Sequence, residues 1–203
     1  MSETSKAALI KRRSNCERKV DVLRVVAAML EEPNLEKITT ARVASSLEIS
    51  EGLLYRYFDS KSAIFDALID FVEESLLSLT SQIRSTEKLS GLAQVEAMLT
   101  VMLKFAETNR GLVRIMTGQV LIYETPKLTE RINHVHGALE NALKQGFRAA
   151  IAQHEIPADF DASGRSKLLM AYVLGQWQRF VLSGFKIKPE IKGAYELSVL
   201  LRP

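Results

Sequence analysis

Residues 38–61, ITTARVASSLEISEGLLYRYFDSK, contain two short helical segments separated by a tight turn. Thr39 or Thr40 can cap the first segment, because a threonine oxygen accepts a hydrogen bond from a backbone N–H that a helix leaves unpaired at its start. Ser50 can cap the second segment in the same way. Apolar residues of the first segment recur at helical spacing, and Leu54 lies on the side that faces them. The stretch therefore predicts a pair of helices in contact.

The spacing of these apolar residues is that of a helix-turn-helix. Ala44 is the small residue at the crossing, and Leu54 closes the small core ten residues later. In such a unit the second helix enters the major groove of duplex DNA, so its outward side chains meet the bases. A plain helical hairpin needs the same small and apolar residues, so the spacing alone leaves both interpretations open. The outward residues predicted to contact DNA are Ser50, Glu51, Gly52, Leu53, Tyr55, Arg56 and Tyr57.

The residues that close the motif resemble the DNA-binding region of TetR-type regulators. Leu54-Tyr55, Phe58 and Lys61 match the closing pattern of leucine-tyrosine, phenylalanine and lysine in that family. The resemblance implies an all-α, TetR-like fold, in which a three-helix helix-turn-helix domain precedes a larger helical dimerisation domain. It also implies that Tyr55 contacts DNA and that Tyr57 and Lys61 hold phosphates.

Three residues outside the second helix belong to the same predicted surface. Thr40 and Arg42 lie at the start of the first helix and complete the predicted DNA-binding set. Lys61 lies in the first turn of the following helix, where backbone N–H groups and the helix dipole favour an anion such as phosphate.

The turn between the two helices departs from the family pattern. The position that usually holds glycine is Glu48 in this chain. A residue with a side chain takes a positive φ at a cost of about 1 kcal/mol, whereas glycine takes it freely. We predict a strained turn that the small core tolerates.

Length and charge suggest how the chain is divided. Its 203 residues allow one domain, or a small domain joined to a larger one. We predict a DNA-binding domain with a basic N-terminal arm over residues 1–60, and a helical dimerisation and partner-binding domain over residues 61–203. Six lysines and arginines stand against two glutamates in the first twenty residues. Such an arm can follow phosphates or a minor groove, or can be a solvated chain end, and both remain open.

Cysteine usage and hydropathy bear on the compartment. Cys16 is the only cysteine, so no intrachain disulfide can form, which is typical of the reducing cytoplasm. No stretch has the form of a signal peptide, and the longest apolar run is too short to span a bilayer. We expect a cytoplasmic protein without a membrane partner.

Helical periodicity predicts the element that connects the two domains. A first helix over residues 15–31 should pack across the helix-turn-helix, and residues 61–83 should form one long helix. Its apolar side chains recur at intervals of three and four residues, as in a helix with one buried face. That stripe consists of Phe65, Ile69, Val72, Leu76, Leu79 and Ile83.

Residues 166–183, SKLLMAYVLGQWQRFVLS, are apolar on nearly every side. A helix of this kind must be covered on more than one side, and a second copy of the chain can provide one cover. Gly175 would allow close approach. With a last helix after Pro189, whose inner face includes Ala194, this predicts a homodimer through a four-helix bundle. An ordinary core helix is the alternative. A dimer also suits a palindromic DNA site, because two recognition helices add their binding energies.

The rest of the sequence resembles one particular group within the TetR-type proteins. NRGLVRIMTGQVLIYETPKLTERIN (residues 109–133) and RFVLSGFKIKP (residues 179–189) resemble the nucleoid occlusion factors of the SlmA group. This resemblance implies a nucleoid-associated dimer that binds chromosomal palindromes and inhibits assembly of FtsZ, the tubulin-like division protein, by holding its tail between the long helix and the next. Phe71, Val101 and Asn109 match residues of that groove, whereas Leu79, Lys104 and Thr108 depart from it.

A ligand-responsive repressor is the rival interpretation. A small molecule in the larger domain would then change the spacing of the two DNA-binding units. Scattered polar residues on core helices are more often satisfied by their neighbours than by a ligand. The residues that could line such a pocket are Thr100, Thr117, Gln119, His134, Gln176 and Trp177.

Catalysis and metal binding find no support in the sequence. The chain has no nucleophile elbow, phosphate-binding loop, zinc-protease motif or Cys-x-x-Cys pair. His134 and His136 are two residues apart on a predicted helix, so they point to different faces and form a poor metal pair. We expect no catalytic residues, no metal site and no cofactor.

Overall fold

The computed structural model describes residues 15–32, 36–121 and 124–201, and all regular structure within these ranges is helical. The prediction of an all-α chain is therefore confirmed. Most of the predicted basic arm lies outside the described residues. The helices are α1 (Asn15–Glu31), α2 (Thr40–Ser46), α3 (Glu51–Tyr55), α4 (Lys61–Arg84), α5 (Gly91–Thr108), α6 (Arg110–Met116), α7 (Pro126–Ala152), α8 (Ala162–Leu182) and α9 (Gly193–Leu201).

Helices α1, α2 and α3 form an N-terminal unit whose caps are the ones that the sequence predicts. Thr39 Oγ1 accepts the Arg42 backbone N–H at 3.2 Å and begins α2. Ser50 Oγ accepts the Leu53 backbone N–H, also at 3.2 Å, and begins α3. Leu54 is buried, as are Val43 and Ala44 of α2, and Leu47 is half-buried beside them. The helix-turn-helix prediction is confirmed.

The turn between α2 and α3 has the strained backbone predicted for it. Glu48 has a φ of 53°, in the left-handed region that glycine occupies without strain. The Ile49 N–H nevertheless donates to the Ala44 carbonyl at 3.0 Å, so the turn keeps its hydrogen bond. Packing of the small core therefore holds a residue in a conformation that it disfavours.

Replacing Glu48 with glycine should stabilise the protein slightly. Glycine removes a strain of about 1 kcal/mol but adds conformational freedom to the unfolded chain, so we expect a net gain below about 1 kcal/mol. Urea unfolding followed by circular dichroism measures this difference. Ser46→Gly, within the preceding helix, is the control and should lower stability by a similar amount. A clear loss of stability in Glu48→Gly would contradict the strain.

Helix α4 joins the N-terminal unit to the remaining helices. The predicted stripe is confirmed at Phe65, Ile69, Val72 and Leu76, all of which are buried. It is wrong at Leu79, whose exposed fraction is 40%. The next residue, Thr80, is buried instead, and its hydroxyl donates to the Leu77 carbonyl at 3.0 Å. The inward face therefore continues from Leu76 by a step of four residues rather than three.

Helix α7 lies against α4, α5 and α8 and forms the centre of the larger domain. Trp177 of α8 is fully buried, and its indole N–H donates to the Met102 carbonyl of α5 at 3.2 Å. Within the described parts of the chain, no helix has both the length and the apolar character that a membrane span requires.

Two predictions about the last helices need correction. Helix α8 begins at Ala162 rather than near Ser166, because the Asp161 carboxylate accepts the backbone N–H groups of Ser163 and Gly164 and caps the helix there. Ala194 of α9 was predicted to face inward, but it is exposed. The inward apolar side chains near it are Ile191 and Leu197, which are partly buried against the core, and the buried Leu201.

The N-terminal unit is attached to the rest of the molecule mainly through α1 and α6. A Cβ atom added to Gly111 of α6 would lie 2.2 Å from the Ala27 carbonyl oxygen of α1, so only glycine fits there. The buried Arg114 donates from Nη1 to the Glu32 carbonyl at 2.8 Å, and its guanidinium lies 4.7 Å from the centre of the Phe185 ring. Burial lowers the pKa of Arg114.

Candidate nucleic-acid interface and partner surface

Helix α3 presents one exposed face on the N-terminal unit. Tyr55 is the large aromatic residue on this face, with an exposed fraction of 46%. A Cβ atom added to Gly52 would have no atom within 4 Å, so the surface beside it is open. A short helix with an open face and a protruding ring has the form that fits a major groove. The predicted DNA-binding residues exposed in this way are Ser50, Glu51, Gly52, Tyr55 and Arg56.

Two other residues of the predicted set are less accessible. Leu53 is half-buried. Tyr57 is half-buried as well, and its ring packs against the core. Both were predicted as outward residues, and the structure corrects this. Leu53 lies within α3 next to the buried Leu54, and Tyr57 follows the end of α3 next to the buried Phe58. Tyr57 therefore remains only partly accessible to solvent.

The predicted DNA-binding residues of α2 are occupied by contacts within the chain. The Thr40 hydroxyl donates to Glu51 Oε2 at 2.7 Å, which joins the starts of α2 and α3. Arg42 Nη2 lies 2.9 and 2.7 Å from the two carboxylate oxygens of Glu32. This hydrogen-bonded pair with Glu32 raises the pKa of Arg42. Arg42 therefore anchors α2 to the end of α1, and it would have to leave Glu32 to reach DNA.

Lys61 is also paired, with a residue that the sequence did not identify. Its Nζ atom lies 2.5 Å from Glu124 Oε1, and the exposed fractions of the two side chains are 27% and 8%. Glu124 lies two residues before the start of α7, far from Lys61 in sequence. No local pattern could have indicated this ion pair, because only the tertiary fold brings the two residues together.

The three residues predicted to bind a protein partner lie on α4, on α5 and at the end of α5. Phe71 is exposed by 51%, Val101 is half-buried, and the two helices pack against each other. The Asn109 amide donates to the Phe105 carbonyl at 3.0 Å and to Thr108 Oγ1 at 2.9 Å, so part of its polar surface is used within the chain.

Two residues at which the chain departs from the family pattern change the surface on these helices. Leu79 places a second exposed apolar side chain two turns after Phe71. Lys104 pairs with Glu107 at 2.6 Å, and Lys188 reaches the same carboxylate at 2.5 Å. The hydrogen bonds from these two lysines lower the pKa of Glu107 to about 2. Lys104 therefore shares the Glu107 carboxylate with Lys188 rather than standing alone on this surface.

Helices α8 and α9 carry an exposed apolar face. Leu168 and Leu182 of α8 are exposed by 66% and 68%. Tyr195 and Val199, one turn apart on α9, are exposed by 82% and 57%. Ala171 and Gly175 lie between the two leucines at helical spacing and are exposed as well. Exposed apolar residues grouped on neighbouring helices are typical of protein–protein interfaces.

The residues predicted to line a ligand pocket do not converge. Thr100 and His134 are exposed on the surface, and the fully buried Trp177 is already hydrogen-bonded to the backbone. Gln119 borders a cavity of about 350 Å³ beside Lys61, whereas Thr100 borders another one beside Pro189. Gln119 and Thr100, two of the residues that could line one pocket in the rival interpretation, therefore border separate cavities.

The two histidines of α7 face different surroundings, as the sequence predicts. His134 is exposed, and its Nε2 atom lies 3.6 Å from Glu73 Oε1. His136 lies largely buried, 6.3 Å from Trp177 between ring centres. Burial lowers the pKa of His136 to about 4, so its imidazole is neutral at pH 7.

Two family models match the chain. Residues 22–68 match "Bacterial regulatory proteins, tetR family", and residues 89–202 match "Tetracyclin repressor-like, C-terminal domain", a model of the SlmA-like type. Curated relatives extend the similarity over most of the chain. The nucleoid occlusion factor SlmA of Idiomarina loihiensis is 37% identical over 172 residues, which cover 85% of this chain and 87% of that protein. The SlmA protein of Aliivibrio fischeri is 39% identical over 173 residues, covering 85% and 88%.

Solved structures share the fold at low sequence identity. The fatty acid degradation regulator FadR from Bacillus halodurans has a TM-score of 0.72 at 15% identity, over 94% of this chain and 97% of that one. GusR from Salmonella enterica has a TM-score of 0.68 at 20% identity, over 94% and 98%. At these identities the likeness shows the helical architecture alone. The description as a regulatory protein comes from the matched tetR family model, and the solved structures add only the shared fold.

Proposed function

We propose a function from the premise that this chain belongs to the TetR family and, within it, to the nucleoid occlusion factors of the SlmA group. Proteins of this family are dimers that bind DNA. We propose that a dimer of this chain binds palindromic sites spread over the nucleoid and inhibits the assembly of FtsZ there, so that the cell does not divide across its chromosome.

The exposed face of α3 is the observation that carries the DNA-binding part of the proposal. Ser50 caps the helix, Tyr55 protrudes from it, and Gly52 leaves space for the wall of a groove. Arg42 and Lys61 flank this face but are held by Glu32 and Glu124. We propose that base contacts come from α3 and that these cations supply phosphate contacts once they leave their carboxylates.

The exposed face of α8 and α9 supports a dimer through the last two helices. Leu168 and Leu182 would be covered by the same face of a second copy, as the two-fold symmetry of a homodimer requires. Gly175 lies between them on the same face. We propose the division of labour predicted from the sequence, in which residues 1–60 form the DNA-binding domain and residues 61–203 bind the second copy and the division protein, with Lys61 at the boundary adding a phosphate contact.

The exposed apolar residues of α4 support a peptide site on the larger domain. Phe71 and Leu79 are exposed on α4, and Val101 lies partly buried on the helix packed beside it. An extended tail can place apolar side chains on such residues, and an exposed phenylalanine is a usual anchor for them. We propose that the tail of FtsZ binds along these helices, with Asn109 at one end.

Mapping the bound sites in cells tests the proposed function as a whole. Chromatin immunoprecipitation with the intact protein should recover many scattered palindromes that avoid one region of the chromosome. Recovery of only one or two promoters would instead support a repressor of transcription. A thermal-shift screen separates the same alternatives in vitro, because stabilisation by a small molecule, without any by a FtsZ tail peptide, would favour a ligand-responsive repressor.

Tyr55→Ala and Lys61→Ala should both weaken DNA binding while leaving the dimer intact. Loss of Tyr55 should reduce discrimination between sequences, with a cost of about 1–3 kcal/mol on the preferred site. Loss of Lys61 should weaken binding to all sequences about equally. It should also reduce the slope of the logarithm of the binding constant against the logarithm of the salt concentration by about one. Fluorescence anisotropy over a range of salt concentrations measures both effects. An unchanged salt dependence in Lys61→Ala would mean that this lysine contacts no phosphate.

Phe71→Ala should weaken binding of a FtsZ tail peptide by at least about tenfold, because truncating an aromatic anchor commonly costs more than 1.4 kcal/mol. Isothermal titration calorimetry with the wild-type dimer and the variant measures this. Tyr55→Ala, which truncates a comparably exposed aromatic side chain on α3, is the matched control and should leave peptide affinity unchanged. Equal affinity of Phe71→Ala and the wild type would place the tail elsewhere.

A further inference from the structure

Lys61 connects two parts of the molecule that carry different proposed tasks. It lies in the first turn of α4, directly after the helix-turn-helix, and its ammonium group also lies 3.5 Å from the Ile38 carbonyl just before α2. Its carboxylate partner, Glu124, belongs to the segment that leads into α7. The ion pair therefore joins the DNA-binding side of the chain to the larger domain.

Glu124 is the more shielded partner of the pair. Only 8% of its side chain is exposed, against 27% for Lys61. The Ser62 hydroxyl lies 3.4 Å from the second carboxylate oxygen and can donate to it weakly. Burying a carboxylate without a partner is costly, so a neighbouring cation stabilises a carboxylate with so little access to water. Glu124 consequently holds the Lys61 ammonium close and cancels much of the positive charge that an external anion would meet.

We propose that Glu124 is a positioning residue that lowers the affinity of this protein for DNA by competing with a backbone phosphate for Lys61. This inference rests on the proposed function, since it requires Lys61 to meet DNA. A lysine carries one unit of charge, and the part that Glu124 neutralises is not available to a phosphate. A change in the larger domain that moves Glu124 away raises DNA affinity, and DNA that takes Lys61 releases Glu124, because coupling between sites is reciprocal.

Glu124→Gln tests the proposal. The probe is a duplex selected from random-sequence DNA by the wild-type protein, and affinity is measured by fluorescence anisotropy at fixed salt. We expect Glu124→Gln to bind this duplex about three- to tenfold more tightly, the gain that corresponds to freeing one partly shielded ion pair. A damaged fold would weaken binding, so a purely structural role for Glu124 cannot produce this result.

Two controls separate the ion pair from a general effect of charge. Glu130→Gln makes the same charge change at an exposed position of α7 and should alter affinity by less than about twofold. Lys61→Met should bind weakly, and adding Glu124→Gln to it should have no further effect, because Glu124 acts through Lys61.

The outcomes distinguish this inference from the proposed function. An equal gain from Glu124→Gln with and without Lys61 overturns the inference, and so does weaker or unchanged binding by Glu124→Gln alone. In those cases the wild-type protein still binds its selected duplex, and the proposed function stands. If the wild-type protein selects no duplex, both are overturned.

Discussion

Replacing Gly91 with alanine should lower the stability of the folded protein by about 3 kcal/mol, the upper range for a core position that is overpacked. A Cβ atom built on Gly91 would lie 2.0 Å from the backbone nitrogen and 2.4 Å from the Cα of Ala150. These are backbone atoms of a long helix and cannot rotate away as a side chain can. The Gly91 N–H also donates to Gln153 Oε1 at 2.7 Å, and separating α5 from α7 would break this bond.

Thermal unfolding at a fixed protomer concentration measures the effect, since the stability of a dimer depends on concentration. For a chain of this length, 3 kcal/mol corresponds to a fall in Tm of about 6–12 °C. Gly137→Ala, at an exposed position of α7 with no atom within 4 Å of the new Cβ, is the matched control. It should raise stability by up to about 1 kcal/mol. Similar Tm values for both alanine variants would show that α5 and α7 are not in such close contact.

Leu168→Asp should convert the dimer to a monomer and strongly weaken binding to a palindromic duplex. The exposed leucine lies on the proposed interface. Because the two protomers are related by symmetry, the substitution would place one unpaired carboxylate from each protomer in the buried interface. Each protomer alone would retain one recognition helix, so we expect affinity for the palindrome to fall by at least about 100-fold. Light scattering at micromolar concentration gives the oligomeric state, and anisotropy gives the affinity.

Leu79→Asp is the matched control for the dimer. It places the same carboxylate on an exposed leucine of α4, away from α8 and α9, and should leave the mass in solution unchanged. Circular dichroism confirms that both variants remain helical. If Leu168→Asp stayed dimeric, the interface would have to use another surface, and the exposed face of α8 would need a different partner.

Local features of this fold were predictable from the sequence because they depend on neighbours along the chain. Capping by Thr39 and Ser50, the positive φ of Glu48 and the bounds of α1 are all of this kind. The inward position of Thr80 in place of Leu79 was not predictable from the sequence. An apolar stripe on a helix can continue after either three or four residues, and the neighbouring helices determine which of the two is buried.

The location of the candidate site on α3 was predictable from the sequence, but the ion pairs that its cations form were not. The α3 face and Tyr55 lie where the motif places them. The pairing of Arg42 with Glu32 and of Lys61 with Glu124 required the tertiary structure, since sequence spacing gives the location of a cation but not the carboxylate that it meets. The sequence predicted that both cations are available to contact DNA. In the protein without DNA, each of them is instead paired with a carboxylate.

The buried Arg114 restricts how domains of this family could be exchanged. It requires a carbonyl at the end of α1, and Gly111 requires the backbone of α1 to pass close beside it. A chimera that carries an N-terminal unit from another regulator would leave a guanidinium without its acceptor in the core unless its first helix ended at the same point. Recombination between regulators should therefore preserve the length of α1 even where the residues of the recognition helix have changed.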